Sequence, residues 1–179
     1  MKLLEYVDTY KAALSGADCD ELIRLFDAAP NKQVLDIAKT PKFTQVNIND
    51  VYPEKVNNLV RATLSAYKLY CDDNPETQFL PPPRIMETFR VKRYREGTEE
   101  QFKTHIDVAD KGSSKRYLSF LYYLNDDYEG GQTVFEFGQM IRPERGMVLV
   151  FPPTWQYPHA GLPVTIGTKY IMSTYLCFE

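Results

Sequence analysis

The second half of this chain is divided into short runs of β-forming residues, and no other feature restricts its fold so strongly. From Arg84 onward, runs rich in valine, isoleucine, tyrosine and phenylalanine alternate with glycine, proline and paired aspartates. The runs are IMETFRVKRY, THIDV, KRYLSFLYYLN, QTVFEF, MVLVF and KYIMSTYLCF. No helical pattern separates them, which argues against a sheet built from βαβ units. The pattern predicts an antiparallel barrel or sandwich over residues 84–178.

Residues 1–71 have helical periodicity, and three helices are predicted there. A second helix is expected to begin at Asp18, with Glu21 completing a capping box. A third opens near Asp50, with Pro53 in its first turn. The first helix would follow a mostly apolar stripe formed by Leu3, Leu4, Val7, Lys11 and Leu14.

The segment DDNPETQFLPPP, residues 72–83, contains four prolines and is predicted to be an irregular loop. The chain shows no internal repeat and no domain boundary. We therefore expect one domain over residues 1–179, in which residues 1–71 support a β-rich core at 84–178. The predicted fold class is mainly β with N-terminal helices, an α+β arrangement.

Composition limits the class of partner and the compartment. A net charge of −3 gives no indication of a nucleic-acid or anionic-membrane partner. The three cysteines are far apart and form no CxxC pair, which favours a reducing compartment. The N-terminus MKLLEYVDTYK does not resemble a signal peptide, and no apolar run is long enough to span a bilayer. A cytoplasmic protein is the expectation.

The chain has only two histidines, and both occupy positions that suit a metal ligand. His105 lies in the sequence THIDV, where residues two apart on a strand share a face, so that His105 and Asp107 can reach one ion. His159 follows the MVLVF run. Two imidazoles and one carboxylate form the facial triad of non-haem Fe(II) oxygenases. Taken alone, an H-x-D pair on a strand is more often a surface ion pair than a metal site. A lone histidine before Ala-Gly is likewise more often a loop residue than a ligand.

Lys169 begins the last predicted strand, ten residues after His159. Lysine is almost never buried without a partner, so a lysine among apolar residues indicates either a bound anion or a side chain that reaches solvent. The far carboxylate of 2-oxoglutarate would be a suitable anion, because its 2-oxo acid end chelates iron.

Several segments, in order and with compatible spacing, resemble the prolyl 4-hydroxylase-like 2-oxoglutarate oxygenases. The resemblance covers about residues 84–178. Its segments are RYREG at 93–97, FKTHID at 102–107, KRYLSFLYYLND at 115–126, GGQTVF at 130–135, PERGMVLVF at 143–151 and HAGLPVTIGTKY at 159–170. The resemblance implies a double-stranded β-helix, or jelly roll, buttressed by helices.

The resemblance also implies a role for each matching residue. His105, Asp107 and His159 would bind iron, and Lys169 would bind 2-oxoglutarate. Tyr175 falls where relatives place an aromatic residue beside a peptide substrate. L-ascorbate is expected to support activity. The residues that match co-substrate contacts or pocket walls are Tyr123, Ser119 and Tyr94, each of which could otherwise serve in the core.

The resemblance implies hydroxylation of a prolyl residue in a peptide or protein, with release of succinate and CO₂. The short connection between Asp107 and Arg116 is more similar to small bacterial and phage members, so a free amino acid or another small molecule remains an alternative substrate. A cupin-like Zn or Mn protein and a non-catalytic β-barrel are alternatives from other classes. The cupin-like protein would not need Lys169 or the pair Tyr123 and Ser119, and in the non-catalytic β-barrel the histidines would be structural.

Overall fold

A computed structural model describes residues 6–36 and 42–179 of the chain. Within these ranges the helices are α1 (Gly16–Ala28), α2 (Ile48–Val51), α3 (Pro53–Asp73) and a 3₁₀ helix (Pro75–Phe79). The strands are β1 (Asp8–Tyr10), β2 (Gln33–Asp36), β3 (Lys42–Asn47), β4 (Ile85–Met86), β5 (Arg90–Arg95), β6 (Phe102–His105), β7 (Arg116–Tyr123), β8 (Glu129–Gly130), β9 (Thr133–Phe135), β10 (Met140–Ile141), β11 (Val148–Phe151), β12 (His159–Gly161), β13 (Val164–Ile166) and β14 (Thr168–Cys177).

The strands form a large and a small antiparallel sheet. The large sheet has the order β1-β11-β7-β14-β5-β3-β2, with β4 paired to β14. The small sheet has the order β10-β9-β12-β6, and β8 pairs separately with β13. The two sheets face each other, since the ring of Phe135 on β9 lies 5.1 Å from the ring of Phe151 on β11. This arrangement has the form of the predicted jelly roll.

The run RYLSFLYY forms strand β7, whose side chains reach both faces of the large sheet. Because side chains alternate along a strand, Leu118, Phe120 and Tyr122 point to the opposite side from Ser119 and Leu121. The first set packs with apolar residues of α1 and α3 in one buried cluster. Burying a side chain as large as that of Phe120 contributes roughly 1.5–3 kcal/mol. The second set faces the space between the sheets, where a pocket lies.

The prediction of a helix near the N-terminus was wrong for the part of it that the structure describes. Asp8–Tyr10 is strand β1, which pairs with β11 at the edge of the large sheet. Ala12 has a φ of 52°, which interrupts any helical path before Leu14. Leu3 and Leu4 lie outside the described residues. Pairing with an exposed sheet edge outweighed the local periodicity.

Helix α1 begins earlier than predicted. Its N-cap is Ser15, whose hydroxyl accepts a hydrogen bond from the amide of Asp18, and Asp18 completes the capping box. Glu21, which was predicted to complete the box, instead forms an ion pair with Lys55 of α3 at 2.6 Å. Residues 33–36 and 42–47 form strands in a region predicted to be helical. These strands extend the large sheet beyond β5.

The third predicted helix is confirmed, because Pro53 opens α3 as its first residue. The segment at 72–83 is more regular than predicted. Helix α3 continues to Asp73, and the 3₁₀ helix begins at Pro75, where proline has no intrahelical amide bond to lose. Among the described residues, the helices are too short or too polar to cross a membrane.

Candidate metal centre

The two histidines meet because their strands are neighbours in the small sheet. His105 is the last residue of β6 and His159 is the first residue of β12, and the two are paired directly across the sheet. Asp107 was expected on the same strand as His105, but β6 ends before it. The chain bends after Ile106 and brings the carboxylate back toward both imidazoles.

The three side chains converge on one point. One ligand atom from each of His105, Asp107 and His159 lies within 4.8 Å of the others. Nε2 of His105 lies 3.6 Å from Oδ1 of Asp107, and Nε2 of His159 lies 3.9 Å from Oδ2. The exposed fractions of these side chains are 16%, 7% and 8% in chain order. The arrangement brings together the residues that the sequence selected for a metal site.

Backbone carbonyl groups set the tautomer of each imidazole. Nδ1 of His105 lies 2.8 Å from the carbonyl oxygen of Lys103, and Nδ1 of His159 lies 3.0 Å from that of Tyr157. A carbonyl oxygen can only accept, so each Nδ1 carries the proton and each Nε2 presents its lone pair. Metal-binding histidines are commonly oriented in this way.

Two hydroxyl groups hold the carboxylate of Asp107. Tyr175 donates to Oδ1 at 3.0 Å, and Ser119 donates to Oδ2 at 3.2 Å. Burial by itself would raise the pKa of Asp107, but its interactions with the two imidazoles and with the charge of Lys92 hold it well below its usual range. Asp107 is therefore an anion at neutral pH.

The surroundings of His159 favour its neutral form. Burial lowers the pKa of His159, although the charge of Asp107 opposes this effect. The rings of Phe151 and Phe135 lie 4.8 Å and 5.5 Å from its ring. A neutral imidazole is the form that binds a metal ion. The ring of Phe102 stacks on His105 at 3.5 Å, which fixes the orientation of the more exposed imidazole.

A pocket extends from the three ligands into the space between the sheets. Its deepest wall is built by β14, where Lys169, Ile171, Ser173 and Tyr175 alternate onto the same face. Tyr175 contacts Asp107, so Lys169 lies three steps deeper along the same row. The pocket can therefore accommodate a ligand that reaches from the metal site to a buried ammonium group.

Lys169 is buried, with 2% of its surface exposed. Its Nζ donates to the carbonyl oxygen of Gly131, which uses one of the three donors of the ammonium group. The rings of Tyr94 and Tyr123 lie 5.6 Å and 5.7 Å from Nζ. Burial, with a smaller effect of Lys92, lowers the pKa of Lys169 to about 7. No carboxylate of the described residues pairs with it, so the site fits a bound anion.

Ser173 gives an independent indication of a polar ligand. Its hydroxyl is buried in the pocket wall and has no hydrogen-bond partner among the described residues. A buried hydroxyl without a partner costs about 1–3 kcal/mol. The ammonium of Lys169 and this hydroxyl face the same space, and a dicarboxylate there would satisfy both.

Of the four other residues that were predicted to contact the co-substrate or the substrate, three line the pocket and one does not. Tyr94 and Ser119 line the pocket, and Tyr175 lines its outer part. Tyr123 does not, because its hydroxyl donates to Thr133 at 2.7 Å from a position behind the pocket wall. Its contact with the co-substrate pocket is therefore indirect, through Thr133 and through its ring beside Lys169.

Besides Ser173, the sequence interpretation missed two polar residues of the pocket wall, Thr133 and Lys92. Thr133 lies in the GGQTVF segment, which is part of the family resemblance. The sequence analysis did not predict that its hydroxyl group lines the pocket. Lys92 lies two residues before Tyr94 on β5 and therefore points into the same pocket. That spacing was visible in the sequence, but the alternation of a strand becomes informative only when one of its faces is known to line a site.

A jelly roll that carries two histidines and one aspartate in this arrangement defines the class of non-haem Fe(II) proteins with a facial triad. Comparison with known proteins identifies the family. A family model described as the 2OG-Fe(II) oxygenase superfamily matches residues 89–177, about half of the chain. The chain belongs to the 2OG-Fe(II) oxygenase superfamily and resembles its prolyl 4-hydroxylases.

Three relatives illustrate the resemblance. The probable prolyl 4-hydroxylase 9 of Arabidopsis thaliana is 29% identical over 118 residues, which cover 50% of this chain and 40% of that protein. A Pseudomonas putida prolyl-4-hydroxylase structure has a TM-score of 0.75 at 18% identity, covering 98% of this chain and 94% of that one. The viral collagen prolyl hydroxylase of Paramecium Bursaria Chlorella virus-1, in its 2OG complex, has a TM-score of 0.72 at 22% identity, covering 95% and 94%.

These likenesses confirm the jelly-roll fold. The chain spans less than half the length of the curated relatives it matches, down to 20% for an animal prolyl 4-hydroxylase subunit.

Proposed function

We propose that this chain is a 2-oxoglutarate- and O₂-dependent hydroxylase of prolyl residues in a peptide or protein. One observation carries the proposal. The ligand set His105, Asp107 and His159 shares a pocket with the buried ammonium group of Lys169. A cupin-like Zn or Mn site would have no use for that buried cation.

Each residue of the pocket has a defined task in this proposal. The triad would hold Fe(II), and Lys169 would bind the far carboxylate of 2-oxoglutarate. Once bound, iron and 2-oxoglutarate would supply the oxidative decarboxylation that activates O₂ and releases succinate and CO₂. Tyr175 and Ser119 keep the carboxylate of Asp107 in one orientation, in which it would serve as a metal ligand.

The prolyl substrate is supported by the relatives. The similar proteins are described as prolyl 4-hydroxylases, and one solved structure is a prolyl hydroxylase in complex with a hypoxia inducible factor peptide from Trichoplax adhaerens. By the same resemblance, ascorbate would support turnover and the substrate would be a peptide. A cytoplasmic location and one domain over residues 1–179 also remain part of the proposal, the former in agreement with three free cysteines.

Mass spectrometry tests the function directly. The protein is incubated with Fe(II), 2-oxoglutarate, ascorbate and a library of proline-containing peptides. The expected result is succinate formation together with a mass increase of one oxygen atom on a prolyl residue. Succinate without any oxidised peptide would keep the oxygenase chemistry and reject the peptide substrate. The absence of both would reject the function.

A further inference from the structure

Lys92 is a second buried lysine beside the metal site, and the proposed function does not use it. It lies on β5, directly across from Ile171 of β14, and 8% of its surface is exposed. Tyr94 and Lys169 form the next cross-strand pair on this face, deeper in the pocket. Two residues along a strand correspond to about 6.7 Å. Lys92 therefore lies one step nearer to the pocket mouth than the proposed 2-oxoglutarate anchor.

Lys92 belongs to two adjoining spaces. It lines the pocket that contains Lys169, and it also lines a second recess on the outer side of the metal ligands. We call this second space the outer recess. Its wall includes Phe43, Gln45, Arg90, Arg116 and Tyr175. Since His105 and Asp107 line both spaces, a group that entered the outer recess would lie beside the metal.

The ammonium group of Lys92 forms no ion pair with a carboxylate of the described residues, although the charges of Asp107 and Glu87 act on it from a distance. Glu87 is already shared by Arg90 at 3.1 Å and Arg116 at 2.6 Å. Asp107, the only described carboxylate that lines the outer recess, accepts from Tyr175 and would be a metal ligand. The nearest aromatic contact of Lys92 is the ring of Phe43 at 5.2 Å.

The balance of charge in the outer recess is positive. The cations that line it are Arg90, Lys92 and Arg116. Of the two nearby carboxylates, Glu87 forms ion pairs with both arginines, and Asp107 would bind the metal. Burial lowers the pKa of Lys92 to about 8, and Arg90 and Arg116 add to this effect while Asp107 opposes it. An isolated buried ammonium is costly unless a ligand supplies the opposite charge.

We propose that Lys92 binds a carboxylate of the substrate and so selects an acidic substrate. This inference rests on the proposed function and names the chemistry that the hydroxylated compound must carry. The carboxylate lies close to the oxidised carbon, since Lys92 shares the recess with the metal ligands. It comes from an aspartate or glutamate next to the proline in a peptide, or from the α-carboxylate of a small proline derivative.

Matched probes distinguish these sources and test the charge itself. The peptide pair is acetyl-Gly-Glu-Pro-Gly-amide and acetyl-Gly-Gln-Pro-Gly-amide. The small-molecule pair is N-acetylproline and N-acetylprolinamide. Binding is measured by calorimetry to the protein loaded with Fe(II) and 2-oxoglutarate under anaerobic conditions, so that no turnover occurs. Succinate formation in air is measured separately.

The variants are Lys92→Met, which keeps an unbranched side chain of nearly the same length without the charge, and Lys92→Arg, which keeps the charge. Lys68→Met is the control, because Lys68 is exposed on α3 and lines neither space. We expect the parent to bind the acidic member of one pair about 30-fold or more tightly than its neutral partner. The reason is that the neutral probe leaves the buried ammonium group unpaired. Lys92→Met should reduce the preference to about twofold, Lys92→Arg should keep part of it, and Lys68→Met should not change it.

Three outcomes would overturn the inference. The parent could bind both members of each pair equally or bind neither. Lys92→Met could retain the preference. Lys92→Met could instead weaken 2-oxoglutarate and leave the probes unaffected, which would assign Lys92 to the co-substrate. If the parent forms succinate in any of these cases, the proposed oxygenase function stands and only the inference fails.

Discussion

At the residue scale, the site depends on hydrogen bonds that fix the orientation of its charged groups. The carbonyl oxygens of Lys103 and Tyr157 hold the two imidazoles, and two hydroxyls hold Asp107. Each ligand atom is therefore oriented before a metal ion arrives, which reduces the conformational entropy lost on binding.

The triad gives the first prediction. His105→Ala, Asp107→Ala and His159→Ala should each abolish iron-dependent succinate formation, because two remaining ligands cannot hold the ion in a facial arrangement. Circular dichroism should show that each variant remains folded, and iron binding should be measured at the same time. Turnover like that of the parent in any of the three variants would contradict the assignment.

Lys169 gives a prediction for the co-substrate alone. Lys169→Ala should weaken 2-oxoglutarate binding by roughly 30- to 3,000-fold, since removing one partner of a buried charge pair costs about 2–5 kcal/mol. Iron affinity should change little, because Lys169 does not contact the triad. Lys169→Arg should be intermediate, since it keeps the charge but changes the shape. Titration of succinate production with 2-oxoglutarate measures the effect, and unchanged affinity in Lys169→Ala would exclude the role.

At the element scale, the tight connection between β10 and β11 fixes the N-terminal segment on the jelly roll. Gly146 donates its amide proton to the carbonyl oxygen of Tyr123, and its own carbonyl oxygen accepts from the amide of Leu14. Its φ of 80° lies in the left-handed region, and a Cβ there would collide with the carbonyl oxygen of Leu14. Glycine is therefore required both by conformation and by space.

Gly146→Ala should lower the free energy of unfolding by about 1–3 kcal/mol. Gly97→Ala is a matched control, because Gly97 has a φ of 65° and nothing lies within 4 Å of an added Cβ. Gly97→Ala introduces the conformational strain without the collision. It should therefore lower the free energy of unfolding by less than Gly146→Ala does. Urea unfolding of both variants measures the difference. Equal losses would show that the contact with Leu14 contributes nothing.

At the scale of the whole molecule, two buried lysines make stability depend on pH. The pKa of Lys169 is about 7 in the folded protein, and that of Lys92 is about 8, whereas an unfolded lysine titrates near 10.4. Between these values the unfolded chain binds more protons, so the stability of the ligand-free protein should rise with pH. Tyr94 and Tyr123 face Lys169, and burial raises the pKa of both, so they remain neutral in this range.

Thermal unfolding of the metal-free protein between about pH 7.5 and 9.5 checks this prediction. Lys169 should contribute up to about 1.4 kcal/mol per pH unit, and Lys169→Met should remove that part of the slope. The affinity for 2-oxoglutarate should change in the opposite direction and fall above about pH 7, because the anion requires the ammonium form. A parent and a Lys169→Met variant with the same slope would contradict the assignment.

The sequence by itself determined the chemistry of the site. Two histidines, the H-x-D spacing and the lysine ten residues after the second histidine indicate His105, Asp107, His159 and Lys169, and the family resemblance supports the same choice. The alternation of apolar runs and turn residues also predicts the β-rich half, because strand periodicity is encoded locally. The double-stranded β-helix and the positions of Tyr94, Ser119 and Tyr175 followed from the family resemblance.

The tertiary structure decided what local pattern could not. Asp8–Tyr10 became a strand because a sheet edge was available to it, and residues 33–36 and 42–47 became strands for a similar reason. Lys92 became part of the site only when β5 and β14 were placed side by side. Sheet pairing and burial are non-local, so the energy that fixes them depends on segments far away in the sequence, and a window of neighbouring residues does not contain it.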